Sequence, residues 1–249
     1  MAIRTEIHRH VGEIILDHPP VNALDSKAWN ELAEVIGAVG ARSEVRCLLV
    51  RGAGRGFCAG VDLKEMQRHP ERIVALNRGN FLTFRAVRGC EVPVVCAVHA
   101  FVIGGGIGIC GASDVVIAAE DAYFSLPEID RGAMGGASHL LRMLPLHKVR
   151  AAFFTGGRIT AAEAYRLGAV ERVVPARTLL KEARAFAAQI AAKSRRALTL
   201  AKEALNGLEA RDVDHGYRFE QGFTLEMYLH EDSRRAREAF VKRKSAARY

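Results

Sequence analysis

Three short runs carry no polar residue at all: Cys47-Leu48-Leu49-Val50, Val94-Val95-Cys96-Ala97-Val98 and Val115-Val116-Ile117-Ala118. Continuous apolar runs of this length, rich in β-branched residues, suit strands that are covered on both faces. Stretches with helical spacing lie between them. One runs from Ser26 to about Val39 with Asp25 as its N-cap, and another spans Ile73 to Val87. Strand and helix alternating in this order predict an α/β core. After Pro145 the pattern is almost wholly helical. Thr160-Ala161-Ala162-Glu163 has capping-box spacing, and helices follow over Leu179–Ala192, Ala197–Leu208, Tyr217–Leu229 and Ser233–Lys244. No internal repeat or low-complexity linker interrupts the chain, so a core over residues 1–194 is expected to carry a docked helical region over 195–249.

The 249 residues are 49% hydrophobic and 26% charged, which is ordinary for a soluble globular chain with a sizeable core. A formal charge of +8 and a pI near 9.5 point to an anionic partner without choosing among a phosphorylated cofactor, nucleic acid and an acidic membrane surface. Much of the excess sits in Lys193-Ser194-Arg195-Arg196 and in the tail from Arg234 to Arg248, where a solvated helix face is the simplest reading. Cys47, Cys58, Cys90, Cys96 and Cys110 lack metal-ligand spacing, and all but Cys58 lie in or beside apolar segments. They read as buried thiols, with neither a disulfide framework nor a metal site. The start of the chain shows no signal-peptide core and no apolar run reaches membrane-spanning length, so a soluble protein of a reducing, cytoplasmic compartment is expected.

Each apolar strand leads into a loop that can carry chemistry. The first loop, Arg51-Gly52-Ala53-Gly54-Arg55-Gly56-Phe57-Cys58-Ala59-Gly60-Val61-Asp62-Leu63-Lys64, opens a helix near Asp62. The second, Phe101-Val102-Ile103-Gly104-Gly105-Gly106-Ile107-Gly108, also starts a helix. Glycines there let main-chain N–H groups face a ligand, and a helix start offers free donors to developing negative charge. Neither loop has the phosphate-loop or dinucleotide pattern. Taken singly, ligand loops and plain tight turns stand level. The third loop is Phe124-Ser125-Leu126-Pro127-Glu128-Ile129-Asp130-Arg131-Gly132. Three strand-to-loop switches of this kind converge on one edge of the sheet, where α/β proteins bind ligands.

The order and spacing of these loops resemble the crotonase, or enoyl-CoA hydratase/isomerase, superfamily. The resemblance runs almost end to end. It takes in Pro20-Val21-Asn22-Ala23-Leu24, Phe57 to Met66, Ala97 to Gly106, Ser113-Asp114, Pro127-Glu128-Ile129, Thr155 to Ala161, and Ala239-Phe240-Val241-Lys242-Arg243-Lys244. It implies a crotonase fold, a core of repeated ββα spiral turns with a helical C-terminal region that forms a trimerisation surface and a wall of the acyl pocket. It also implies a homotrimer or homohexamer, an acyl-CoA substrate, and no permanently bound cofactor beyond the coenzyme A of that substrate. Membrane and nucleic-acid partners are not expected.

By the same resemblance, the backbone N–H groups of Val61 and Gly105 form an oxyanion hole for the thioester carbonyl. Donors of this kind are each worth about 2.7–4 kcal/mol of transition-state stabilisation. Ala59, Val61, Asp62, Leu63, Lys64, Gly105, Gly108 and Arg243 fall on coenzyme A or substrate-binding positions, and Glu128 on the main acid/base position. Hydratases of the family use a second glutamate shortly after the glycine triplet, and that position is Gly108 here. Concerted hydration therefore lacks a partner, and the glycine leaves space for a bulkier or cyclic acyl group. Asp130 and His139 are candidate substitutes for the missing carboxylate, as are Glu220, Glu226 and Tyr228 on the penultimate helix. Asp62 and Glu65 read as capping or solvated residues, and His99 as a packing or hydrogen-bonding one. A finer resemblance, in Ser26 to Trp29, Gly60 to Arg68, Asn77-Arg78-Gly79, Glu128 to Ala133 and Tyr217 to Thr224, is to a branch that contains hydrolases opening cyclic diketone rings of steroid-derived CoA esters. Three readings follow: a hydratase/isomerase-type enzyme working through a stabilised enolate, a carbon–carbon hydrolase of a cyclic acyl-CoA, and a non-enzymatic CoA- or RNA-binding protein on the same scaffold.

Overall fold

Successive side chains of a strand point to opposite faces, so a wholly apolar strand needs cover on both. The computed structural model, which describes residues 2–209, 213–229 and 231–246, supplies that cover. Its strands are β1 (Ile3–His8), β2 (Val11–Leu16), β3 (Ala23–Leu24), β4 (Cys47–Gly52), β5 (Gly60–Val61), β6 (Val94–Val98), β7 (Phe101–Ile103), β8 (Val115–Ala119), β9 (Tyr123–Ser125), β10 (Arg158–Thr160) and β11 (Arg172–Val174). Its helices are α1 (Ser26–Gly40), α2 (Leu63–Arg68), α3 (Ile73–Arg88), α4 (Gly105–Ala112), α5 (Ala137–Met143), α6 (Leu146–Thr155), α7 (Ala161–Arg166), α8 (Leu179–Ala191), α9 (Arg195–Leu208), α10 (Val213–Leu229) and α11 (Glu231–Ala246).

Strands β1, β2, β4, β6, β8 and β11 pair in that order, with β1 antiparallel to β2 and all later neighbours parallel. The alternation of side chains then divides the core. Leu48, Val50, Val94, Cys96 and Val98 face Trp29, Leu32 and Ile36 of α1 and Leu76 and Phe84 of α3. Cys47, Leu49, Val95, Ala97 and Ile117 face Leu179, Ala183, Ala187 and Ala191 of α8. Burying one large aliphatic side chain is worth about 1.5–3 kcal/mol, so both faces of β4 and β6 hold the layers together. Helix α1 starts where its cap dictates, because the Asp25 carboxylate accepts from Ala28 N at 2.7 Å. All five cysteines are buried thiols.

The segment after Pro145 is less uniformly helical than its sequence predicts. The three-residue strands β10 and β11 interrupt it, and they pair with β9 and β8 respectively. Runs this short cannot display a period of their own; partners distant in the chain hold them. From residue 195 onward the helices lock onto the core. Ser194 caps α9, and the Arg195 guanidinium donates to Val45 O at 3.1 Å and Gly40 O at 3.0 Å and pairs with Glu91. This member of the basic run is thus an anchor rather than part of a solvated face. Lys202, only 4% exposed, donates to Val87 O, Val92 O and the Asp114 carboxylate. No helix among the described residues is long and apolar enough to cross a membrane.

Candidate active site

The parallel strands β4, β6 and β8 end at the same edge of the sheet, and backbone hydrogen bonds then stitch the three following loops together. Cys58 N donates to Phe101 O at 3.3 Å, and Ile103 N donates back to Cys58 O at 2.9 Å, making a parallel bridge between Cys58 and Val102. On its other side β7 pairs in parallel with β9, Val102 beside Phe124, and Gly104 N donates to Ser125 O at 3.2 Å. Each turn of chain therefore repeats the same strand, short strand and helix start, one layer beside the last.

Val61 and Gly105 meet because of this stitching. Gly60 has φ +83°, and a Cβ built there would lie 3.1 Å from Ile103 O and 3.3 Å from Gly105 N. Only a residue without a side chain lets the two loops approach so closely. β5 pairs with β3, and Asp62 N donates to Leu24 O at 2.9 Å. Strand alternation turns the preceding Val61 N–H away from β3, towards the second loop. Gly105 is the first residue of α4, so no earlier carbonyl of its helix can accept its N–H. Gly105 itself rests on the Trp29 indole, where a Cβ would come within 2.5 Å of the ring. Asn22 clamps the first loop from below. Its side-chain amide donates to Ala53 O, Gly56 O and Phe57 O, and its carbonyl accepts from His18 N. Cys58, beneath the loop, is no nucleophile: burial pushes its thiol up to about 12.

These loops line a pocket, and Val61, Gly104, Gly105 and Glu128 share its wall. Glu128 belongs to the 3-10 turn Pro127–Arg131, and its carboxylate lies over Gly104, where a Cβ would collide with Oε1. Gly104, with φ +55°, is thus free of a side chain both for its backbone angle and to seat the carboxylate. Leu63, Met66, Ile73, Leu76 and Phe84 make the apolar side of the pocket, and Asn77, Asn80, Tyr217 and Tyr228 bring polar atoms to it. Tyr228, whose phenol burial pushes upward, donates to Met66 O at 2.8 Å and so ties α10 to the pocket wall.

The other predicted positions divide. Asp62 caps α2 and accepts from Lys64 N at 2.9 Å, and Lys64 is exposed. Ala59 is half-buried behind the loop, bonded to Val21 O and Asn22 O. The side chains of Glu220, Glu226 and Arg243 lie outside the described residues. Glu65 is not solvated: at 8% exposure its carboxylate accepts from Ser26 N and Oγ and from Arg72. His99 Nε2 sits 3.0 Å from Gly54 O, a bond that steadies the first loop.

Gly108 differs most from expectation. It is buried and does not line the pocket, and a Cβ there would overlap the Phe84 ring. The space that a glycine should have left is occupied by a phenyl group from α3. His139 is no substitute acid/base either. It is 1% exposed and packs edge-on behind Phe84 and Tyr217, with ring centroids 4.6 Å and 5.1 Å away. Burial, reinforced by Arg142 and Arg88, lowers its pKa to about 3, so the ring is neutral. Asp130 points elsewhere as well. A 3-10 turn has three residues per turn, so Asp130 lies off the face of Glu128, and its Oδ2 would be 2.5 Å from a Cβ on Gly156. The residue that shares the Glu128 face is Arg131, three positions on, and it lines the pocket together with Arg237. Neither arginine stood out in the sequence; treating Pro127–Arg131 as a 3-10 turn would have singled out Arg131.

A family model described as enoyl-CoA hydratase/isomerase matches residues 6–247. The chain is 49% identical over 233 residues to the (7aS)-7a-methyl-1,5-dioxo-2,3,5,6,7,7a-hexahydro-1H-indene-carboxyl-CoA hydrolase of Mycobacterium tuberculosis, covering 92% of this chain and 94% of that protein. It is 46% identical to the Rhodococcus jostii protein of the same description, with 93% and 90% covered. A probable enoyl-CoA hydratase of Mycobacterium bovis is 33% identical, with 98% and 96% covered. Among solved structures, an enoyl-CoA hydratase/isomerase from Xanthobacter autotrophicus superposes with a TM-score of 0.90 at 28% identity, over 97% of this chain and 93% of that one.

Proposed function

This chain belongs to the enoyl-CoA hydratase/isomerase, or crotonase, family, and from that premise we propose that it hydrolyses a carbon–carbon bond in a ring of a cyclic diketone acyl-CoA. Val61 N–H and Gly105 N–H hold the thioester oxygen. Glu128 takes a proton from water as the hydroxide adds to a ring ketone. The tetrahedral adduct collapses by breaking the bond to the ring carbon conjugated with the thioester. The electron pair runs into that conjugated system and rests as an enolate on the oxygen in the hole. Glu128 then returns the proton to carbon. One water is gained, a carboxylate appears where the ketone was, and no other reactant is consumed.

The observation that carries this reading is the lone carboxylate. Among the described residues Glu128 is the only acidic side chain lining the pocket, and Phe84 seals position 108 against a second. A hydratase needs two such groups at once, one to activate water and one to deliver the proton. Hydrolysis uses a single carboxylate twice in succession. The 49% identity to a hydrolase of a bicyclic dioxo-CoA ester supports the same choice. Enoyl isomerisation also needs only one carboxylate, and it is the competing reading.

The test is a mass-spectrometric screen of the purified protein against cyclic diketone CoA esters and straight-chain enoyl-CoAs. Water gain with ring cleavage is the expected result, and Glu128→Gln should lower the rate by about 10²–10⁴-fold while CoA-ester binding persists. Water gain with the ring retained, or a shifted double bond at unchanged mass, would replace this reading with hydration or isomerisation. No product from any thioester would leave the non-enzymatic binding protein.

A further inference from the structure

Two guanidinium groups stand in the wall of this pocket, and the chemistry above gives neither a task. Arg131 lies one 3-10 turn beyond Glu128, about 6 Å along the same face, and its guanidinium rests 4.5 Å from the centroid of Phe240. Arg237 reaches the pocket from α11, with its guanidinium 3.7 Å from the Tyr228 ring centroid and bonds to Tyr228 O at 3.1 Å and to Ser233 Oγ. Ser233 Oγ in turn bonds Gly132 O, the residue next to Arg131, and the backbone of Gly132 packs directly on Ser233. The two arginines are therefore built around one contact between the 3-10 turn and α11. Among the described residues neither guanidinium forms a close ion pair; the Glu128 and Asp130 carboxylates act on Arg131, and the Glu238 carboxylate on Arg237, only at longer range.

Arginine held on aromatic faces rather than on carboxylates keeps its donors for a ligand. Burial lowers the pKa of both groups, opposed by Glu128 and Asp130 at Arg131 and by Tyr228 and Glu238 at Arg237, and an arginine side chain stays protonated in proteins. Two cations beside the single carboxylate of Glu128 leave the wall with an excess of positive charge that calls for an anion, and the planar fork of a guanidinium matches a carboxylate. The position selects which anion. The pantetheine arm separates the thioester from the coenzyme A phosphates by much more than the single turn between Glu128 and Arg131, so the ligand belongs to the acyl end.

We propose that Arg131 and Arg237 form a carboxylate-recognition site in the acyl pocket, which selects acyl-CoA esters carrying a carboxylate, or the ring ketone that hydrolysis converts into one, at the end remote from the thioester. This rests on the reading that the pocket takes the acyl group, and it names the class of acyl group it takes. The reaction that consumes the product must accordingly accept a carboxyl-bearing acyl-CoA.

Binding to the full-length Glu128→Gln protein tests the site without turnover. Glutaryl-, adipyl- and pimelyl-CoA are titrated by calorimetry against pentanoyl-, hexanoyl- and heptanoyl-CoA. The best dicarboxylic ester should bind about tenfold or more tighter than its methyl-ended counterpart, as a charge-assisted hydrogen bond implies. Adding Arg131→Met or Arg237→Met should erase that advantage and leave the methyl-ended affinities within about twofold, a control that the fold survives. Adding Arg237→Lys instead should restore part of it. Equal affinities across every pair in the parent protein would overturn the proposal while leaving the acyl pocket intact. An equal loss of free CoA binding in the methionine variants would overturn it in favour of a phosphate site. No binding of any acyl-CoA would remove the pocket reading and this inference together.

Discussion

Adding a single methyl group to Gly108 tests whether Phe84, and not empty space, lies where a hydratase keeps its second carboxylate. A Cβ at Gly108 would overlap three ring atoms of Phe84, with Cε2 at 2.6 Å and the other two closer. Overpacking a core by one such group costs about 1–3 kcal/mol. Replacing glycine by alanine inside a helix returns about 0.8–1 kcal/mol. With a clash this close, Gly108→Ala should destabilise the intact protein by a net amount of about 2 kcal/mol. Phe84→Ala alone should cost about 3–5 kcal/mol, since its ring is buried among Trp29, His139 and Tyr217. In that background the obstruction is gone and Gly108→Ala should stabilise by about 1 kcal/mol. The coupling between the two sites is then near 3 kcal/mol, far above the ~0.5 kcal/mol expected of independent positions. Urea titrations of the four proteins at one fixed concentration measure it. If Gly108→Ala has the same effect in both backgrounds, Phe84 does not close the site and the argument against hydration fails with it. Gly108→Glu should accordingly confer no hydration of straight-chain enoyl-CoA while Phe84 is present.

Three further outcomes follow from the same geometry. Asn22→Ala removes the bonds to His18 N, Ala53 O, Gly56 O and Phe57 O and leaves alanine at φ +52°; thermal and urea unfolding should show a loss of about 2–4 kcal/mol, and turnover should fall as the loop bearing Val61 loosens. Lys202→Met takes the ammonium from the Asp114 carboxylate, which keeps Val94 N as a donor, and from Val87 O and Val92 O, so urea unfolding should detect about 2–3 kcal/mol of destabilisation, part of it recovered by adding Asp114→Asn. His139 has a folded pKa of about 3, below its unfolded value near 6.5, so the unfolded chain binds a proton that the folded one excludes. Stability should therefore fall as pH drops below about 6.5, with a slope from this group of up to about 1.4 kcal/mol per pH unit. His139→Leu should flatten that slope in unfolding titrations between pH 6.5 and pH 4, and an unchanged slope would show that the ring is protonated in the fold.

The long-period features of this chain are local, and the sequence alone determines them. Apolar runs such as Val94–Val98 specify strands covered on both faces, Asp25 sets the start of α1, and the glycines at 60, 104 and 105 mark where two loops must pass closely. The absence of a carboxylate at 108 and the presence of one at 128 are equally plain from residue identity. What the tertiary structure decided depends on partners distant in the chain. The short strands β5, β7, β9, β10 and β11 exist only because each is paired, and none is long enough to show a period. Whether Asp130 or Arg131 joins Glu128 turned on the path of five residues, which a 3-10 turn settled in favour of the arginine. Whether Gly108 opened the pocket turned on Phe84, 24 positions earlier and on a different helix. A glycine dictates what its own backbone can do, but the space beside it belongs to whichever side chain the fold packs there.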